Sequence, residues 1–164
     1  MPIRLIVCGV VLGAALGCVK GSNSAAIAEV SRVLDDWHQA AAVADEARYI
    51  GHLTDDAVFL GTDPGERWTA AEFSEFVKPY FDKGQGWTYL PRDRHVMLSD
   101  DGALAWFDER LDNEKYGELR GTGVLCLVDG VWKLAHYNMS FPVPNERTGE
   151  VVDLIRATDA PDGG

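Results

Sequence analysis

Cysteine is scarce in this chain, which has three in 164 residues, and two of them, Cys8 and Cys18, lie among the first twenty positions. The body of the chain has only Cys126, and a single thiol cannot form an internal disulfide. Its neighbours within residues 124–128 are apolar, a pattern typical of a buried strand. The sequence therefore predicts that Cys126 is a small core residue and not a nucleophile, which would need a polar, electropositive setting.

Basic residues are also few. Lys and Arg number 15 against 26 Asp and Glu, which gives a net charge of −11. A nucleic-acid binder needs positive charge to neutralise phosphates, so this class of partner is excluded. The four histidines stand singly, without the spacing of metal ligands. Gly121 and Gly123 lie inside a predicted strand and do not form a phosphate loop, so the sequence predicts no metal and no cofactor.

Long apolar runs are absent except near the N-terminus, where Leu5–Leu16 is almost wholly apolar or small. This run is too short to span a bilayer comfortably, and its flanks are typical of a secretory signal. Ala15-Leu16-Gly17-Cys18 resembles a bacterial lipobox, with alanine in place of the usual leucine. We expect residues 1–17 to be a cleaved signal peptide, Cys18 to be lipidated and residues 18–24 to be a tether. The lipid alone would then hold the protein to a membrane of the bacterial envelope, on its periplasmic side. A plain signal peptide and an uncleaved anchor are the alternatives.

The remaining residues change from helical to strand periodicity. Apolar side chains recur every three or four residues from Ala25 to about residue 44, which predicts an amphipathic helix, and a short helix follows over Glu46–Leu53. A short strand at Ala57–Leu60 and a further helix precede four long runs that predict antiparallel strands: Trp87–Leu98, Ala103–Asp112, Leu119–Val128 and Val131–Phe141. This order indicates an α+β domain over residues 25–146, followed by a polar, partly disordered tail at 147–164.

The segment between the first strand and the next helix carries turn and capping signals. Asp63-Pro64-Gly65 has the residue types of a tight turn. Thr69 and Glu72 have the spacing of a capping box, and Trp68 and Phe73 have that of a hydrophobic staple. A helix is therefore predicted to begin directly after Thr69.

The last long strand has the sequence Gly130-Val131-Trp132-Lys133-Leu134-Ala135-His136-Tyr137-Asn138-Met139-Ser140. It resembles the closing G-x-W-(+)-(I/L)-x-H-x-(H/N)-x-S strand of the nuclear transport factor two-like superfamily. Residues 61–68, 106–109 and 120–123 resemble its bacterial SnoaL-like branch, and the resemblance covers about residues 27–146. It implies a cone-shaped fold in which a curved antiparallel sheet wraps around about three helices and leaves an apolar cavity, and it implies a homodimer. Members include isomerases, cyclases, dehydratases and epoxide hydrolases as well as binding domains, so the fold does not decide the function.

The polar residues of the long strands are the candidates for chemistry in such a cavity. Asp108 or Glu109 is the candidate base, and Arg120 would stabilise developing negative charge. His136 or Tyr137 would polarise a substrate oxygen. Because successive residues of a strand point to opposite faces, only one member of each pair can face inward.

Strand alternation suggests which members these are. Lys133 favours an outward position, which places His136 and Asn138 inside, and we expect Trp106 and Asp108 to share the inward face of their strand. The predicted catalytic set is therefore Asp108, Arg120 and His136, and the predicted pocket is lined by Trp37, Phe59, Trp68, Phe76, Trp106 and Asn138. The competing interpretations are a structural ion pair between Asp108 and Arg120 and a hydrogen-bonded core histidine at position 136.

Two further residues, Glu66 and Arg67, have no local structural role. They are predicted to form an ion pair within their loop, and a place at the rim of the cavity is the alternative. For the whole protein, the first hypothesis is an accessory protein of the envelope that binds a small hydrophobic molecule or a protein partner. The second is an acid–base enzyme, an isomerase, cyclase or hydrolase, that acts without a metal on a small hydrophobic carbonyl or ring compound. An assembly role through the dimer face is the third.

Overall fold

The computed structural model describes residues 16–159, and its first helix, α1, covers Leu16–Ala42. The apolar stripe that the sequence predicts along this helix is buried, as Val30, Leu34 and Trp37 show. The helix begins earlier than the predicted Ala25, so the segment predicted to be a tether is helical. Residues 1–15 lie outside the described part of the chain, and the signal peptide and the lipidation at position 18 therefore stay predictions.

Six strands form one curved sheet in the order β2-β1-β6-β5-β4-β3. Neighbouring strands are antiparallel except β1 and β6, which are parallel. The α+β fold class is confirmed, while the parallel pair and the three-residue β2 were not predicted. The strands are β1 (Leu53–Leu60), β2 (Arg67–Thr69), β3 (Leu90–Leu98), β4 (Leu104–Asn113), β5 (Gly117–Val128) and β6 (Val131–Ser140).

Helices α1, α2 (Glu46–Gly51) and α3 (Ala70–Phe81) pack against one side of this sheet. We call that side the inner face and define it by Phe107, Leu125 and Tyr137, which are almost fully buried. The opposite side is the outer face. Because burial alternates strictly along β4, the two faces can be assigned there residue by residue.

The start of α3 follows the predicted local chemistry. The Thr69 N–H donates to Glu72 Oε2 at 2.8 Å, and the Glu72 N–H donates to Thr69 Oγ1 at 3.4 Å, which completes the capping box. The rings of Trp68 and Phe73 lie 5.9 Å apart between centroids, as a hydrophobic staple requires. This corner fixes the direction in which α3 leaves the sheet and so places its aromatic side chains.

The predicted tail is helical over most of its described part, and its last residues, 160–164, lie outside the described residues. A short 3-10 helix over Asn145–Arg147 leads into α4, which covers Thr148–Asp159. Val151 and Val152 of α4 are half-buried, whereas Leu154 and Ile155 are exposed. Within residues 16–159, no helix is both long and apolar enough to cross a membrane.

Candidate functional site

An open cavity of about 390 Å³ lies between the inner face of the sheet and the three packed helices. Twelve of its nineteen lining residues are aromatic, and they include all five tyrosines of the chain. A site of this size and composition is typical of pockets for small organic ligands. The aromatic lining residues are Trp37, Tyr49, Phe59, Trp68, Phe73, Phe76, Tyr80, Trp87, Tyr89, Tyr116, Tyr137 and Phe141.

The inner end of the cavity is a packed group of rings. Phe59 stacks on Phe73 with centroids 4.0 Å apart, and Trp37 stacks on Tyr49 at 5.0 Å. Tyr137 meets Trp37 edge to face at 4.7 Å. Such pairs add about 0.5–1.5 kcal/mol each beyond the burial of their surface, so this end of the cavity is well ordered.

The mouth of the cavity is formed by rings that remain partly exposed. Trp68 stacks on Phe76 with centroids 4.7 Å apart, and Tyr80 meets Trp87 edge to face at 6.2 Å. These four residues present aromatic faces where a ligand would enter. Tyr116 and Phe141 pack edge to face at 5.9 Å and complete the mouth.

A charged cluster lies directly behind the inner end. Glu109 is almost fully buried, and its Oε1 accepts a hydrogen bond from His38 Nε2 at 2.7 Å. Its Oε2 accepts a hydrogen bond from Arg94 Nε at 2.7 Å. Arg94 also donates to Asp35 Oδ1 at 2.7 Å and to the Ser31 carbonyl at 2.9 Å. The cluster therefore ties α1 to β3 and β4, and only His38 among its members lines the cavity.

A β-bulge explains why Arg94 reaches Glu109. In the pairing of β3 with β4, Arg92 lies opposite Arg110 and His95 lies opposite Asp108, so two residues of β3 face the single residue Glu109. Asp93, the first of the two, has a φ of 49°, in the left-handed region. Such a bulge changes the side from which the next side chain projects. Arg94 is thereby directed to the inner face.

The cluster and the neighbouring phenol have shifted pKa values. Burial raises the pKa of Glu109, but the hydrogen bonds and charges of His38 and Arg94 outweigh burial and hold it below its usual value. Burial, and then the nearby Glu109 charge, raise the pKa of Tyr137 well above its usual value. At neutral pH the site therefore combines an ionised, fully paired carboxylate with a neutral phenol that can donate a hydrogen bond.

Two glycines of β5 allow this close packing. A Cβ at Gly121 would lie 2.6 Å from the Tyr137 hydroxyl and 3.1 Å from Glu109 Oε1. A Cβ at Gly123 would lie 2.5 Å from the His136 carbonyl oxygen and 2.7 Å from the Phe107 ring. A side chain at either position would push the phenol or the neighbouring strand away, because real contacts of this length do not occur.

The predicted catalytic residues of β4 and β5 lie on the outer face. Asp108 is half exposed and lies 3.2 Å from His95, and Trp106 is 43% exposed. Arg120 is exposed and pairs in register with Arg110, not with Asp108. The expected inward parity of Trp106 and Asp108 is therefore wrong, and the inward residue of the Asp108/Glu109 pair is Glu109. Both faces of β4 carry large apolar groups, so its sequence does not show which face is inner.

The same correction applies to β6, for a different reason. Its pairing with β5 runs from Leu134 directly to His136, so Ala135 forms a bulge. Leu134 faces inward, which agrees with an outward Lys133, but beyond the bulge the parity reverses and Tyr137 is the buried residue. His136 and Asn138, expected inside, are half-buried on the outer face and do not line the aromatic cavity.

Cys126 also lies on the outer face. It pairs in register with Leu104 and Lys133 and is only half-buried, so the expectation of a core position is wrong. The remaining predicted pocket residues, all of them aromatic, do line the cavity: Trp37, Phe59, Trp68 and Phe76.

The sequence interpretation missed His38 and Arg94. His38 follows Leu34 by one helical turn on the buried side of α1, and this spacing was a signal for an inward histidine. Arg94 gave no such signal, because its position depends on the bulge at Asp93. Among residues 16–159, no three His, Cys, Asp or Glu side chains are grouped as metal ligands would be.

The loop residues Glu66 and Arg67 do not form the expected ion pair. Glu66 is half-buried, lines the mouth of the cavity and accepts a hydrogen bond from the Asp63 N–H at 3.1 Å. Arg67 is exposed, and its charge acts on Glu72 instead. The structure therefore places Glu66 at the rim, the alternative that the sequence left open.

Residues 30–144 match a family model described as "SnoaL-like domain". Similar solved structures include an NTF2-like protein of unknown function from Pseudomonas putida, 20% identical, with a TM-score of 0.63 over 75% of this chain and 91% of that chain. A candidate dehydratase of the NTF2-like family from Streptomyces avermitilis is 14% identical, with a TM-score of 0.61, and the match covers 74% of this chain and 99% of that chain. A candidate scytalone dehydratase from Novosphingobium aromaticivorans is 10% identical, with a TM-score of 0.63, and the match covers 76% of this chain and 89% of that chain. These identities support a common fold alone, and a search of functionally curated proteins finds no match.

Proposed function

We propose that this chain, which belongs to the SnoaL-like domain family, binds one small hydrophobic ligand. The fold of this family serves both binding and catalysis, so support for the proposal comes from the cavity of this chain itself. The observation that carries the proposal is the aromatic lining of the 390 Å³ cavity. Flat rings on several sides favour a ligand that is itself planar or compact and apolar.

The state of the polar groups favours binding over catalysis by a carboxylate. A carboxylic base of the kind used in apolar cavities needs a raised pKa near neutrality. Glu109 has the opposite shift, since His38 and Arg94 pair with both of its oxygens. The cluster therefore acts as a structural support behind the cavity, and the neutral Tyr137 phenol is available to orient a ligand by one hydrogen bond.

Native mass spectrometry of the purified protein is the test of this proposal. We expect a retained small molecule at one per chain, released on denaturation. Met139→Trp should abolish retention, because Met139 lines the cavity and a tryptophan there would occupy ligand space. Asn138→Trp is the matched control, since the neighbouring Asn138 lies on the outer face. Equal retention in both folded variants would contradict the proposal.

A second candidate function is acid–base catalysis by His38. A carboxylate can only accept, so the bond to Glu109 keeps a proton on His38 Nε2, and in the neutral form of the imidazole the free Nδ1 is an acceptor. A carboxylate that orients a histidine in this way is a recurrent arrangement for a general base. The names of the two structural neighbours described as candidate dehydratases agree with this class of chemistry.

This alternative predicts catalysed exchange of acidic C–H protons. In D₂O the protein should accelerate exchange at the α-carbon of phenylacetone, followed by NMR, and His38→Asn should remove the acceleration. A base contribution of about 10²–10⁴-fold is the usual range for such a group. No acceleration above the His38→Asn background would exclude His38 as a base for this ketone class.

We further propose export to the periplasmic side of the bacterial envelope with a lipid anchor at Cys18, and a homodimer formed through the outer face. The lipobox-like sequence supports the anchor. The exposed, outward-facing Trp106 and Leu104 support the dimer.

Cys18→Ala should move the protein from the membrane fraction to the soluble fraction, and an unchanged distribution would contradict lipidation.

A further inference from the structure

The side chains that line the cavity include one group that is ionised at neutral pH besides the histidine, and it is a carboxylate. Among the nineteen described residues that line it, Glu66 is the one carboxylate, and none is lysine or arginine. His38 is the one histidine, and it is already bonded to Glu109. The whole chain carries a net charge of −11, which favours the approach of cations. An anionic ligand would therefore find no lysine or arginine among the residues that line this cavity.

Glu66 is held at the mouth without a neutralising partner among residues 16–159. Its side chain lies over Gly61, where a Cβ would come within 2.1 Å of Oε2. That oxygen accepts the Asp63 N–H, and no ion pair within 4.0 Å involves Glu66 in the described chain. After burial and Tyr116, its charge raises the pKa of Tyr89, a further lining residue. The carboxylate thus acts on the cavity and not on a surface lysine or arginine.

Four aromatic residues line the same cavity as Glu66 and provide the second part of the candidate site. The rings that contact each other at the mouth have centroids 4.7–6.5 Å apart, and they belong to Trp68, Phe76, Tyr80 and Trp87. Aromatic faces attract ammonium groups, and several rings around one cation are a common means of holding quaternary ammonium ions. The Lys115 ammonium already lies 4.7 Å from the centroid of the Tyr116 ring on another side of the mouth.

We propose that the ligand is an organic cation, with an apolar body in the inner cavity and a tertiary or quaternary ammonium at the mouth between Glu66 and the aromatic faces. This rests on the proposed binding function and adds the chemical class of the ligand. Quaternary ammonium groups suit such a site because they are weakly hydrated and lose no hydrogen bonds on entering it.

Two probe molecules of the same shape, one cationic and one neutral, separate the contribution of charge to binding from that of hydrophobic contact. Benzyltrimethylammonium and neopentylbenzene differ only in a nitrogen cation that replaces a quaternary carbon. Each is titrated as a competitor of the neutral dye N-phenyl-1-naphthylamine bound to the full protein. We expect the cation to bind at least about tenfold more tightly than its carbon analogue.

Glu66→Gln should reduce this preference about five- to tenfold and leave neopentylbenzene binding unchanged. Glu75→Gln is the matched control, because Glu75 is an exposed carboxylate on α3 that does not line the cavity. The control should keep the full preference, which shows that net charge alone does not set it.

The outcomes distinguish the two proposals. If neopentylbenzene competes as well as the cation, or if Glu66→Gln leaves the preference intact, the assignment of a cationic ligand is overturned while the cavity remains a binding site. If the dye binds and neither probe competes, the cationic assignment is also overturned. If neither dye nor probe binds the folded wild-type protein, the proposed binding function itself fails.

Discussion

Glu109→Ala is expected to lower the free energy of unfolding by about 3–5 kcal/mol, the range for breaking a buried ion pair from one side. The substitution leaves the Arg94 guanidinium without its buried carboxylate and His38 without its acceptor. Arg94 would keep its bonds to the exposed Asp35 carboxylate and the Ser31 carbonyl, but its Nε would join Nη2 as a buried donor without a partner among the described residues. Urea unfolding followed by tryptophan fluorescence measures the change.

The neighbouring Asp108→Ala is the control for this prediction. Asp108 is half exposed, and its contact with His95 is a surface interaction. Its removal should cost less than about 1 kcal/mol at the same protein concentration. Equal losses in the two variants would contradict the assignment of Glu109 to the inner face and of Asp108 to the outer face.

The pH dependence of stability gives a second readout for Glu109. A carboxyl group with a lowered pKa in the folded state stabilises that state above its unfolded pKa of about 4.3. This contribution is lost as the pH falls through the folded pKa. Wild-type protein should therefore lose more stability between about pH 5 and pH 3 than Glu109→Gln, which has no charge there to lose.

Trp37→Ala is expected to have an effect of similar size, a loss of about 3–5 kcal/mol in the free energy of unfolding. Trp37 is 2% exposed and packs against Tyr49, Phe59 and Tyr137. Its Nε1 has no hydrogen-bond partner among residues 16–159, so the loss reflects packing and the new cavity alone. Chemical denaturation with a fixed m-value would report it directly.

Trp106→Ala is the matched control for Trp37→Ala. The sequence suggested a cavity position for both tryptophans, but Trp106 is 43% exposed on the outer face. Its replacement should cost the monomer less than about 1 kcal/mol, measured at a protein concentration too low for a dimer, since little of its surface is buried within the chain and no enclosed cavity results. A loss at Trp106 as large as that at Trp37 would contradict the assignment of the faces.

The fold was largely predictable because its signals are local. The helical spacing of Val30, Leu34 and Trp37, the capping box at Thr69 and the turn residues between the long strands each act within a few positions. The residues of the closing strand then identified the superfamily. The parallel pairing of β1 with β6 was not predicted, because it is a contact between distant parts of the chain and no local sequence pattern indicates it.

The candidate site was harder to predict because it depends on the register of strands. The bulge at Ala135 reverses the parity of β6, so Tyr137 and not His136 meets the cavity. The bulge at Asp93 brings Arg94 to Glu109. A shift of one residue moves every following side chain to the other face, and neither Asp93 nor Ala135 is a residue type that marks the position of a bulge.

The most direct test of a binding cavity lined by aromatic faces is a titration with N-phenyl-1-naphthylamine. Phe76→Ala and Trp106→Ala each remove one ring of similar exposure, 37% and 43%, from the mouth of the cavity and from the outer face respectively. We predict that Phe76→Ala weakens dye binding about tenfold, through lost apolar contact, while Trp106→Ala leaves the Kd unchanged. Unaltered binding in Phe76→Ala, or an equal loss in both variants, would contradict ligand binding in this cavity.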